Sequence, residues 1–147
     1  NALTSTAMDL GDEGRDDYYG FGLVQARDAC FYLNPTAVEL LSFTTESGKK
    51  SIILNWETTA EVDNLGFNLY RSTTENGERV KINSELIPTN VPPGSIFGST
   101  YNFIDTGADS KRRKLLPNRT YYYWLEARDI FGGSEFHGPI TGIISEK

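Results

Sequence analysis

From Thr36 onward, apolar and polar residues alternate in short runs separated by turn-forming residues, which predicts an all-β sandwich or barrel. Strands are expected near Val38–Thr45, Ser51–Thr58, Phe67–Ser72, Val80–Asn83, Tyr101–Asp105, Thr120–Asp129 and Glu135–Ile144. Seven antiparallel strands of this length suffice for a two-sheet sandwich. The separators Ser47-Gly48, Asn76-Gly77 and Gly132-Gly133 can each supply the positive φ of a tight hairpin. The proline-containing loop from Pro88 to Ser99 reads as an irregular crossover between sheets. Period two then assigns the faces. In the second strand Ile52, Leu54 and Trp56 share one side, opposite Ser51, Ile53 and Asn55. In the sixth, Tyr121, Tyr123, Leu125 and Ala127 face away from Tyr122, Trp124 and Glu126. Trp56 facing Tyr121 and Tyr123 is the expected core nucleus.

The first 34 residues follow a different period. Leu3, Ala7 and Leu10 recur at helical spacing and Gly11 stands where a helix stops. A polar loop follows, Gly11-Asp12-Glu13-Gly14-Arg15-Asp16-Asp17, then an apolar stretch from Tyr18 to Val24. A second short helix is expected from Val24 to about Leu33, closed by Asn34-Pro35. The chain thus divides into residues 1–34 and 35–147.

Charge changes the picture of partners. The net charge of −6 argues against nucleic acid, whose binding rests on neutralising phosphates with Lys and Arg. Residues 1–30 hold six acids and two bases, so −4 of that total sits there. The one basic run, Lys111-Arg112-Arg113-Lys114, reads as a solvated loop. No stretch approaches the roughly 20 apolar residues of a membrane helix. Cys30 is the only cysteine, which excludes an internal disulfide; it fits a small buried apolar residue or a bridge to a further part of a longer protein or to another chain.

Two stretches carry family resemblances. The run Leu115-Leu116-Pro117-Asn118-Arg119-Thr120-Tyr121-Tyr122-Tyr123 resembles the approach to the sixth strand of fibronectin type III domains, and Trp56 matches that family's second-strand Trp. The stretch from Trp56-Glu57 to Arg71 is similar to a bacterial extracellular variant of the domain. The resemblance implies a seven-stranded immunoglobulin/fibronectin type III-like antiparallel sandwich, preceded by a short helical or extended segment. It also implies a Tyr121 hydroxyl bonded back to upstream backbone. Asn118-Arg119 departs from the usual Gly-Thr there. The N-terminal segment resembles the end of a subtilisin-like (subtilase) catalytic domain. The matching residues are Leu3, Thr6-Ala7, Asp9-Leu10-Gly11, Gly14-Arg15-Asp16-Asp17, Tyr19-Gly20-Phe21-Gly22-Leu23-Val24 and Ala26. The matching part lies downstream of the family's catalytic serine, so no catalytic residue carries over. The resemblance implies a secreted bacterial source and a parent serine endopeptidase.

The residues themselves offer little chemistry. A Ser-His-Asp triad needs a base, and the only histidine, His137, lies in the last strand without an activated serine in the sequence. One His and one Cys far apart lack zinc-ligand spacing. Gly48-Lys49-Lys50-Ser51 lacks the upstream glycine of a phosphate-binding loop and reads as a hairpin turn. Asp12, Glu13, Asp16 and Asp17 could offer oxygens to calcium, but EF-hand spacing is absent and Arg15 offsets their charge. Asn118-Arg119-Thr120 is a glycosylation sequon in form only.

Two sets of residues point outward. Tyr70, Tyr122 and Trp124 are placed as an aromatic stripe on the outer face of one sheet, to be covered by another domain, the chain's own tail or carbohydrate. Leu3, Leu10, Tyr18, Tyr19, Phe21, Leu23 and Val24 would lose a covering catalytic core, at about 1.5–3 kcal/mol per side chain. Something must bury them: the chain's own sandwich or a neighbouring copy. The expectation is therefore a non-catalytic accessory module of a secreted subtilisin-like protease, with no cofactor. The alternative is a self-assembling extracellular filament subunit whose N-terminal segment packs on the next copy.

Overall fold

The computed structural model describes residues 7–9, 13, 38–108 and 114–144. The chain falls into two compact units, Asn1–Thr36 and Ala37–Lys147. In the first, Ala7 is half-buried and Met8, Asp9 and Glu13 are exposed. Met8 takes part in a β-bridge, where a helix through Leu3, Ala7 and Leu10 was expected. Leu3, Leu10, Tyr18, Tyr19, Phe21, Leu23, Val24, the second expected helix, Asp12, Asp16, Asp17 and Cys30 lie outside the described residues, as do Lys111 to Arg113.

The second unit is a mostly β, antiparallel two-sheet sandwich, with no helix among its described residues. Its strands are β1 (Val38–Ser47), β2 (Ile52–Glu61), β3 (Asn64–Ser72), β4 (Val80–Lys81), β5 (Ile87–Pro88), β6 (Thr100–Asp105), β7 (Thr120–Asp129) and β8 (Ser134–Ile143). One sheet has the order β1-β2-β6. The other runs β4-β3-β7-β8, with β5 also on β3. Among the described residues there are thus eight strands where seven were expected. The extra one, β5, is a two-residue pairing of Ile87 and Pro88 with Phe67 and Gly66, too short to leave an alternating pattern.

The core follows the period-two reading. Ile52, Leu54 and Trp56 from β2 lie against Phe67 and Leu69 from β3 and Tyr121, Tyr123, Leu125 and Ala127 from β7 in one buried cluster. The rings that meet Trp56 are not those of β7, however. Tyr101, directly opposite it on β6, stacks at 5.2 Å with 9° between planes, and Phe67 meets it edge-on at 5.5 Å. Tyr123 instead sends its hydroxyl across the sandwich to Asp105 Oδ2 at 2.9 Å.

Of the three glycine turns, Gly132 takes a positive φ of 93°, while Gly48 and Gly77 do not. Gly48 N–H still closes its turn on the Ser51 carbonyl at 2.8 Å. Asn118 adopts φ 56°. Asn tolerates that left-handed region better than most residues, so the turn needs no glycine there.

Two buried networks around charged groups lock the sheets. Arg71 Nη1 donates to both oxygens of Asp105, at 2.7 and 2.8 Å, and its guanidinium lies 5.8 Å from the Tyr121 ring centroid. Asp105 also accepts the Gly107 N–H at 2.8 Å. Burial, then the charge and hydrogen bond of Asp105, push the Tyr123 hydroxyl well above its ordinary pKa. At the other end, Glu61 is 1% exposed and accepts four hydrogen bonds. Thr58 Oγ1 (2.6 Å) and Tyr101 Oη (2.7 Å) donate to Oε1. Asn64 Nδ2 (2.7 Å) and Thr89 Oγ1 (2.6 Å) donate to Oε2. A carboxylate removed from water is tolerable here because each oxygen keeps two donors.

Candidate interaction surfaces

The outer face of the larger sheet is built by the even-numbered residues of β7 and their partners. Tyr70 on β3 stands directly opposite Trp124 on β7, Asn68 opposite Glu126, and Phe136 on β8 opposite Glu126 from the other side. Tyr122, two residues before Trp124, pairs with Ser72 and Thr141 and is half-buried. The register thus puts Tyr70, Tyr122 and Trp124 on one face.

Trp124 is nevertheless only 2% exposed. The guanidinium of Arg79, from the β3–β4 turn region, lies 4.4 Å from its ring centroid and 5.5 Å from that of Phe136. An arginine so placed is attracted to the ring faces and covers them with its planar head. Tyr70 packs on Phe136 with centroids 5.6 Å apart.

Beneath these rings Glu126 organises the polar atoms. It accepts from Asn68 Nδ2 (2.8 Å), Tyr70 Oη (2.8 Å) and Ser134 Oγ (2.7 Å), and Arg128 Nη1 lies 3.6 Å away. Desolvation pushes its pKa up, but the bonds from Ser134, Asn68 and Tyr70 and the charge of Arg128 together hold it below the usual range. Desolvation, then the bond to Glu126 and its charge, push the Tyr70 hydroxyl up to about 12. The face is therefore a closed arginine-aromatic-carboxylate cluster. Spacing along the strand could place Glu126 but not Arg79, which belongs to no periodic element.

A second feature lies at the end of the sandwich where β3 finishes and β7 begins. A cleft of about 550 Å³ is lined by Arg71, Ser72, Thr73, Thr74, Gly77, Glu78, Val80, Lys114, Leu115, Leu116, Arg119 and Tyr121. Its exposed cations are Lys114 and Arg119, against Glu78; Arg71 at its floor is neutralised by Asp105. At its rim the Leu116 N–H donates to Tyr121 Oη at 2.8 Å. Leu116 itself is 54% exposed.

The rest of the polar inventory is sparse. His137 pairs in register with Leu125; its Nε2 lies 4.0 Å from Glu135 Oε1 and has no hydrogen-bond partner. Among the described residues no three His, Cys, Asp or Glu side chains gather in a way that could hold a metal ion. No described helix is long and apolar enough to cross a membrane. In the comparisons with known proteins, no family model and no curated protein matches the chain.

Proposed function

We propose that this chain is a non-catalytic C-terminal accessory module of a secreted subtilisin-like serine protease, its second unit a fibronectin type III-like sandwich. The observation that carries the reading is the bond from the Leu116 N–H to the buried Tyr121 hydroxyl, five residues downstream at the start of β7. A tyrosine in that place, tying the connection to the strand it enters, is the corner of immunoglobulin-like and fibronectin-like sandwiches. The strand orders β1-β2-β6 and β4-β3-β7-β8 and the deeply buried Trp56 support it further. The subtilase part rests on the Tyr19-Gly20-Phe21-Gly22-Leu23-Val24 motif and its neighbours.

The module has a spacing and docking role. Among the described residues, the Arg71–Asp105 and Glu61 networks face inward and the outer aromatic cluster is closed by Arg79, which supports a structural role for the sandwich. The purified 147-residue chain, treated with a fluorophosphonate probe and offered a denatured protein substrate, is expected to take up no label and to release no peptides. Labelling of a serine in this chain, abolished by prior denaturation, would refute the non-catalytic reading.

A further inference from the structure

The end of the sandwich opposite the cleft is unusually apolar. Ile96 and Phe97, adjacent in the β5–β6 loop, are 73% and 70% exposed, and Val62 and Ile130 nearby are 42% and 46% exposed. The loops are fixed there: the Gly94 N–H donates to the Val62 carbonyl at 2.7 Å, and the Ile130 N–H to that of Asp63 at 2.9 Å. Glu61 bridges to Ser95 by backbone pairing and holds Thr89 and Tyr101 by side-chain bonds. Gly98 sits so close to Thr58 that an added Cβ would lie 1.8 Å from its carbonyl oxygen. The loop is thus clamped on both sides of Ile96 and Phe97. A buried carboxylate network holds a loop whose apolar tip stands in water, the arrangement of a preorganised binding anchor.

The complementary surface is on the same molecule. The cleft at the far end joins the apolar side chains Val80, Leu115, Leu116 and Tyr121 to two exposed cations, Lys114 and Arg119, the charge of Arg71 being matched by Asp105. At the strand ends on the tip side the balance is opposite: the register brings Glu39, Asp63, Asp129 and Glu135 there with Arg128. β2 and β7, each of ten residues, separate the two ends by roughly 33 Å. One sandwich therefore cannot seat its own tip in its own cleft.

We propose that Ile96 and Phe97 of one copy insert into the Arg71–Leu116–Arg119 cleft of a second copy, forming a head-to-tail chain of sandwiches. The contact is heterologous, because tip and cleft are different surfaces, and it propagates unless the rotation closes a ring. A cleft of about 550 Å³ falls within the size of protein pockets that take up ligands. The opposed charges of the two ends steer the encounter and are screened by salt. The contact belongs to the small, weak class burying under about 1,200 Å². It does not depend on the protease reading.

The test is sedimentation equilibrium of the complete chain up to about 1 mM, a concentration that detects weak specific association. The average mass of the wild type is expected to rise with concentration, and less so in high salt. The tip variant Ile96→Ser/Phe97→Ser and the cleft variant Leu116→Ser/Arg119→Glu alter exposed side chains, and unchanged tryptophan emission verifies their folding. Each alone is expected to lose association at least about tenfold. Mixed in equal amounts they should recover pairs but nothing larger, since one intact tip and one intact cleft remain. A wild type that stays monomeric, a tip variant that associates like the wild type, or a mixture that fails to pair each overturns the proposal.

Discussion

Replacing Glu61 by Gln exchanges one carboxylate oxygen for an NH₂ group and tests whether the carboxylate holds the β2–β3 and β5–β6 loops together. Each oxygen now faces two donors: Thr58 and Tyr101 on one, Asn64 and Thr89 on the other. An amide offers one acceptor atom and two N–H groups. Its NH₂ cannot face Asn64 Nδ2, which only donates, so it must turn towards the two hydroxyls on the Oε1 side. Thr58 can redirect its proton to the Ser99 carbonyl, 3.2 Å away. Tyr101 already accepts from the Asn90 N–H at 2.9 Å, and its displaced proton has no such outlet among the bonds around it. The loss comprises the charge assistance of two retained bonds, about 1 kcal/mol each, and one orphaned hydroxyl proton, about 1–3 kcal/mol. The easier desolvation of a neutral amide offsets part of this. A destabilisation of about 2–4 kcal/mol is expected, read from urea unfolding followed by the emission of Trp56 and Trp124. In a thermal scan that corresponds to a fall on the order of 4 °C per kcal/mol. A cost below about 0.5 kcal/mol, the range of ordinary surface substitutions, would refute the idea that Glu61 organises this end.

Tyr121→Phe removes the acceptor of the Leu116 N–H while keeping the ring in the core. It is expected to cost about 1–3 kcal/mol in the same assay, with little change in the midpoint counting against the corner. Arg79→Ala opens the roof over Trp124, so acrylamide quenching should rise and emission shift to the red, whereas an unchanged spectrum would place the cover elsewhere. The Tyr70 hydroxyl, at about 12 in the folded state, titrates later than an ordinary tyrosine near 10. Its contribution is intact below pH 10 and is lost as the pH rises towards 12, so Tyr70→Phe should flatten that alkaline fall. Glu126 has the opposite sign. Its lowered pKa gives stability at neutral pH that fades as acid protonates it, so Glu126→Gln should flatten the acid limb relative to the wild type.

The strands were legible wherever one face meets the core and the other meets water. Ile52, Leu54 and Trp56 stand out because Ile53 and Asn55 between them are only half-buried. β7 was harder, since Trp124 and Glu126 are as buried as the residues facing the core. What hides them is Arg79, which lies outside the regular strands, together with Asn68, Tyr70, Ser134 and Phe136, and no local period links those positions. Glu61 ends a strand beside a turn, where an acid is ordinarily solvated. Two of its donors, Thr89 and Tyr101, lie 28 and 40 residues away in sequence, so spacing gives no sign of the network. The same applies to Ile96 and Phe97, whose exposure follows from how Gly94 and Gly98 are clamped rather than from their own loop sequence. Asn118 was the reverse case: an apparent departure from the Gly-Thr pattern that its φ of 56° accommodates.

Whether the sandwich travels with a serine protease can be read in the growth medium of the source cells. Polypeptides captured by an antibody against the second unit are labelled with a fluorophosphonate probe, separated by size and sequenced. The label is expected on a secreted polypeptide larger than 147 residues that yields peptides from both the sandwich and an upstream serine-reactive domain. An antibody-captured polypeptide that is unlabelled, or whose upstream sequence carries no reactive serine, would contradict it.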